Sequence, residues 1–146
     1  MSRFGRAQIL SMIPHSGSMC LLDEVVDWGG DWVSGLSHCF AAPDNPLRRP
    51  DGTLGASCAI EIAAQAMAVH GWLTEQESGP PLPGYLVSLR DVRLGTAHLD
   101  AAAGPLNIGA TRLTRVTGGA FYNFSVSNKG TELVSGRATV LFGVTA

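Results

Sequence analysis

Apolar and polar positions along this chain change period several times. From Arg6 to Ile13 a short amphipathic run predicts one or two helical turns, which Pro14 stops. CLLDEVVDW (Cys20–Trp28) and DWVSGLSHCF (Asp31–Phe40) read as two strands. Gly29-Gly30 between them is a two-residue loop able to take positive φ at both positions, so the pair reads as a hairpin. Ala41 to Thr53, rich in Pro, Asp, Asn and Arg, reads as a loop long enough to suggest a role beyond connection. LGASCAIEIAAQAMAVHGWL (Leu54–Leu73) follows, with Ile60, Ile62, Met67, Val69, Trp72 and Leu73 spread around most of a helical circumference and alanines between them. Such a helix must be enclosed on nearly all sides. The prolines of ESGPPLPG (Glu77–Gly84) end it. Four more strands are expected at Tyr85–Leu94, Leu106–Val116, Ala120–Asn128 and Glu132–Val144. Alternation is clearest in the third, where Tyr122, Phe124 and Val126 oppose Phe121, Asn123 and Ser125.

The order is a short helix, two strands, a long central helix and four strands. One antiparallel six-stranded sheet wrapped around the enclosed helix satisfies it, an α+β arrangement that is the hotdog fold. A length of 146 residues fits a single hotdog domain spanning 1–146. A formal charge of −2 and a single adjacent basic pair, Arg48-Arg49, argue against nucleic acid as a partner. No apolar run has the pattern of a signal peptide or reaches the ~18 residues of a membrane span, so a soluble, cytoplasmic protein without membrane contact is expected. Cys20, Cys39 and Cys58 form no CxxC pair and no zinc-like pattern with His, and read as reduced core residues; no metal is expected. Phosphate loops, dinucleotide fingerprints and the GxSxG elbow of serine hydrolases are absent, so no cofactor is expected either.

The polar residues of the long helix change the picture. Glu61 is the one charged residue between Asp51 and Glu75, and Ser57, Glu61 and Gln65 stand at i, i+4 and i+8, on one stripe beside Cys58. A carboxylate in so apolar a helix must be hydrogen-bonded, protonated or open to a cleft. It serves either a structural end, with Glu61 capping backbone amides and Gln65 tying strands or subunits together, or proton transfer near a helix N-terminus whose N–H groups can polarise a carbonyl. Histidine is its natural partner. His15 lies in the loop before the first strand, His38 on the second, His70 near the helix end and His98 in a later loop.

Two segments carry a family resemblance. IPHSGSMCLLDEVVDW (Ile13–Trp28) resembles the PH-R-x-P-x-LL-x-D-x-V segment of 3-hydroxyacyl-(acyl carrier protein) dehydratases of the FabA/FabZ type, with Pro14, His15, Leu21, Leu22, Asp23 and Val25 matching and Ser16 in place of Arg. GASCAIEIAAQA (Gly55–Ala66) resembles that family's PG-x-L-x-x-E-A-M-A-Q, with Glu61 and Gln65 matching. PDNPL followed by DGTLGA (Pro43–Ala56) looks closer still to the divergent ApeP-like branch associated with aryl polyene pigments. The resemblance implies a dehydratase of fatty acid, polyketide or aryl polyene biosynthesis acting on a thioester of acyl carrier protein or coenzyme A. It implies Glu61 as catalytic carboxylate, the backbone N–H around Ala56 as holder of the thioester carbonyl, and Ser57 and Gln65 at the substrate. It also implies a homodimer or higher hotdog oligomer with sheets joined edge to edge, or a heteromer with another dehydratase subunit, in which the carboxylate works with a histidine of the neighbouring subunit.

One departure stands out. The family's catalytic histidine sits in an HFPG loop before the carboxylate, where this chain has Leu47 and no histidine between Phe40 and Glu61. His15 can supply the imidazole only if the fold brings the Pro14 loop over the helix start. Three functions follow: a dehydratase using Glu61 as acid and His15 or water as base, a hotdog acyl thioesterase with Glu61 as general base or nucleophile and Gln65 placing water, or a non-catalytic, acyl-binding partner subunit.

Overall fold

The computed structural model describes residues 3–15, 17–75, 82–100 and 102–143. Seven strands and one long helix dominate: β1 (Phe4–Gly5), α1 (Arg6–Leu10), β2 (Glu24–Trp28), β3 (Trp32–Ser37), α2 (Ser57–Thr74), β4 (Gly84–Leu94), β5 (Leu106–Val116), β6 (Gly119–Asn128) and β7 (Thr131–Phe142). The sheet is antiparallel throughout, in the order β1-β2-β3-β5-β6-β7-β4, and α2 lies across β3 to β7. This is the hotdog arrangement, with seven strands where the sequence pattern suggests six. The addition is β1, whose two residues pair with Glu24 and Val25 and are too few to show a period.

Side-chain alternation explains the inner surface. Tyr122, Phe124 and Val126 are buried on β6, opposite Ala138, Gly136 and Val134 of β7. Against this face α2 buries Cys58, Ala59, Ile62, Ala63, Ala66, Met67 and Val69, which gives it an apolar surface all the way round. Gly71, inside the helix, is explained by close approach: a Cβ there would lie 2.1 Å from the Phe142 ring.

Local corrections have physical causes. The β2–β3 loop takes three residues, Gly29 to Asp31, and neither glycine has positive φ. Gly29 is there for space, since a Cβ would fall 2.2 Å from Trp32 Nε1. The expected strand from Cys20 begins only at Glu24, because the Leu21 and Leu22 amides donate to the Gln65 side chain instead of to a neighbouring strand. The helix starts at Ser57 and not Leu54, because Leu54 and Ala56 are held to the 97–99 segment by Leu99 N–H to Leu54 O (2.9 Å) and Ala56 N–H to Ala97 O (3.0 Å). Most of the proline-rich stop and the last strand's end at Val144 lie outside the described residues. Among the described residues no helix is long and apolar enough to cross a membrane, and no cluster of His, Cys, Asp and Glu is arranged to hold a metal.

Candidate active site

The site begins with what fixes the start of α2. The Asp100 carboxylate accepts the Leu54 amide (3.0 Å) and pairs with Arg48 (3.4 Å), whose guanidinium also reaches the carbonyls of Ala41, Ala42 and Gly52. Asn45, buried in the long loop, donates to Phe40 O (2.8 Å), contacts Cys58 Sγ (3.7 Å) and accepts the Leu47 amide (2.9 Å). Residues 41–53 are thereby seated on the first turn of the helix. Asn45 lies in the PDNPL segment without a mark of this role, and Asp100 lies in no motif.

Down the helix the polar stripe passes from surface to core. Ser57 is exposed, Glu61 keeps 31% of its side chain accessible, and Gln65 is fully buried. Gln65 Oε1 accepts the amides of Leu21 (2.9 Å) and Leu22 (3.1 Å), and Nε2 donates to Met19 O (2.7 Å). Three backbone groups of one loop are thus satisfied by one amide from the helix. Arg6 adds hydrogen bonds to Gly17 O (2.8 Å) and Cys20 O, and Ser37 Oγ donates to Leu21 O (2.6 Å).

The loop so pinned carries His15, and its Nε2 sits within hydrogen-bond distance of Glu61 Oε1. The Pro14 loop therefore does lie over the start of α2, and both members of the pair belong to one chain. His15 is only 24% accessible, and its Nδ1 is buried with no hydrogen-bond partner among the described residues. Nε2 and Oε1 share one proton: when the carboxyl holds it, Nε2 keeps its lone pair and Nδ1 carries the hydrogen of the neutral ring. Glu61 is thus hydrogen-bonded and partly open, two of the three states that the sequence allows.

The other histidines lie elsewhere. His38 is exposed, with its backbone N–H on Asp23 Oδ2. His98 Nδ1 is 3.4 Å from an Arg49 guanidinium nitrogen. His70 is fully buried, accepting the Tyr122 hydroxyl at Nδ1 (2.7 Å) and donating from Nε2 to Gly29 O (2.9 Å). Burial pushes its imidazole below the usual 6.5, with the nearby Arg112 charge acting the same way.

Of the amides around Ala56, its own is not the free donor. Its N–H is occupied by Ala97 O, and the Cys58 and Ala59 amides close on Gly55 O (3.1 Å) and Ala56 O (3.0 Å). Ser57 N–H remains as the first helical amide with no partner among the described residues. Gln65, expected at the substrate, holds the His15 loop. The three cysteines are free; Cys20 and Cys58 are buried, while Cys39 is half-buried with its thiol raised to about 11 by desolvation and by Asp23. Cys58 is raised by burial, and the Glu61 charge adds to the shift.

The fold recurs among solved structures. The chain is similar to a chain of the dehydratase heterocomplex ApeI:P from Xenorhabdus doucetiae, with TM-score 0.79, 25% identity, and coverage of 94% of this chain and 91% of that one. It shares its fold with a thioesterase from Haemophilus influenzae (TM-score 0.65, 14% identity, 94% and 90% covered) and with a mutant thioesterase from Pseudomonas aeruginosa (TM-score 0.66, 12% identity, 94% and 93% covered). No curated protein matches the sequence. The model of the ApeP-like family, described as ApeP dehydratase, matches residues 7–143, and the chain belongs to that family.

Proposed function

We propose that this protein removes water from a 3-hydroxyacyl thioester, carried on an acyl carrier protein or coenzyme A, with Glu61 and His15 as its acid and base. The observation that carries this reading is the His15–Glu61 contact on the first turns of α2. It supplies within one chain the imidazole that the 41–60 segment lacks.

The substrate enters between the two side chains and separates them. His15 Nε2 takes the proton from C2, electrons move to form the C2–C3 double bond, and the C3–O bond breaks as Glu61 gives its proton to the leaving hydroxyl. Ser57 N–H, at the positive end of the helix, donates to the thioester oxygen as negative charge grows on it. When enoyl thioester and water leave, the pair closes and the proton on His15 passes back to Glu61. Gln65, Arg6 and Ser37 act by holding the His15 loop, and so are positioning residues. Hydrolysis of the thioester is a second reading, favoured by the fold shared with thioesterases.

The unpaired β4 edge, with Val87, Leu89, Val92 and Leu94 exposed, supports association with a second hotdog chain in the cytoplasm, either identical or a distinct dehydratase subunit as in the ApeI:P heterocomplex. The test is to incubate the protein, alone and with a candidate partner subunit, with 3-hydroxybutyryl and crotonyl thioesters, following enoyl absorbance and free thiol together. Enoyl gain or loss without thiol release is expected. Thiol release without enoyl change overturns the dehydratase in favour of hydrolysis, and silence in both channels under all pairings overturns catalysis.

A further inference from the structure

The arginines of this chain divide by location. Arg3, Arg6, Arg48, Arg112 and Arg115 all have carboxylate partners within the chain. Four have none among the described residues: Arg49, beside His98 in the 41–53 loop, and Arg90, Arg93 and Arg137, which lie on β4 and β7. Arg90 and Arg137 stand directly opposite each other across the β4–β7 ladder. Both are exposed, and Arg137 faces away from the core because its neighbour Ala138 faces inward. Like charges at directly opposed strand positions are destabilising when nothing lies between them. In a chain of net charge −2 this is a local concentration and not a general basicity.

Beside the pair, Leu113 (48% exposed) and Phe121 (39%) line a shallow groove of about 230 Å³ together with Arg90, Arg137, Ser88 and Thr139. An open, partly apolar groove flanked by cations suits an extended amphipathic partner better than a lone small anion. Arg93 continues the charge along β4: across the bulge that holds Asp91 it pairs with Ser135, two residues from Arg137, about 7 Å along the strand at the usual rise. That is close to the distance between positions i and i+4 of an α-helix, about 6 Å. A second copy of the same face would only oppose arginine with arginine.

We propose that the outer face of the β4–β7–β6 sheet docks an acidic amphipathic helix of another protein, its carboxylates on Arg90, Arg93 and Arg137 and its apolar residues on Leu113 and Phe121. The proposal is independent of the reaction at Glu61, which lies on the helix side of the sheet.

The probe is a fluorescent helical peptide with glutamates at i and i+4 and leucines on the adjoining face, titrated with the full chain by anisotropy. Binding is expected to weaken by about tenfold in the R90S/R137S variant, to weaken several-fold in F121S, and to fall as salt rises from about 50 to about 300 mM. An R3S variant, changed at a paired arginine far from the groove, should bind as the parent does. Circular dichroism confirms that each variant is folded, and R137S alone provides a milder version should the double variant unfold. Equal binding by parent and R90S/R137S overturns the proposal. So does complete displacement of the peptide by pyrophosphate at comparable concentration, which would mark a small-anion site, or binding to phosphatidylglycerol vesicles in place of the peptide, which would mark a lipid surface.

Discussion

The two ends of α2 each hold a histidine in a hydrogen bond, and they differ in what surrounds it. Near the C-terminal end His70 is sealed between the Tyr122 hydroxyl and Gly29 O, while Arg112 ties Gly30 O (2.6 Å), Thr74 and Glu75 together alongside. Near the N-terminal end His15 meets Glu61 where both remain partly accessible, and one ring nitrogen has no partner among the described residues. A fully satisfied buried network rigidifies, whereas a partly open pair can exchange its partner for a substrate. Donor count and access, more than the presence of histidine, separate a brace from a candidate site.

The sharpest way to break this contrast is at the open end. Glu61→Gln keeps the shape and removes the proton, and is expected to lower the dehydration rate by about 10²- to 10⁴-fold while leaving the melting temperature within a few degrees. Gln65→Leu comes next. It leaves the Leu21 and Leu22 amides without their acceptor, and the unmet amides predict a loss of about 3 kcal/mol in denaturant unfolding together with lower activity, since the His15 loop is freed.

At the sealed end the effect should be on stability alone. His70→Phe leaves the Tyr122 hydroxyl and Gly29 O unpaired and is expected to cost about 2 kcal/mol, with kcat per folded molecule nearly unchanged. The smallest effect is a pH dependence that His70→Phe should remove. His70 is held below its ordinary 6.5 in the folded chain, so the unfolded chain binds the proton first as pH falls. Stability from this group is therefore complete above about pH 6.5 and declines as pH drops below it, until the folded imidazole also protonates. Urea midpoints at a series of pH values, parent against variant, check the sign.

How much of this could be read from the chain depends on the range of each interaction. α2 and β6 were legible because their apolar periods are local, and β5 begins and ends where its pattern does. The 20–23 segment was misread as strand because its donors go to Gln65, a side chain distant in sequence that no period reveals. Glu61 stood out as a charge in an apolar run. His15 could be named only as a conditional partner, since tertiary placement by Gln65, Arg6 and Ser37 is what brings it to Glu61. Asn45 and Asp100, which seat the helix start, look like ordinary loop residues until the loop is folded.

The central claim is that His15 and Glu61 act as one unit, and a double-mutant cycle tests it most directly. Dehydration rates are measured for the parent, His15→Asn, Glu61→Gln and the double variant, each shown to be folded. The account predicts that both single variants lose most of the rate and that the double variant is scarcely slower than the worse single one, because either change disables the pair. Parent-like activity in His15→Asn, or losses that multiply in the double variant, would contradict it.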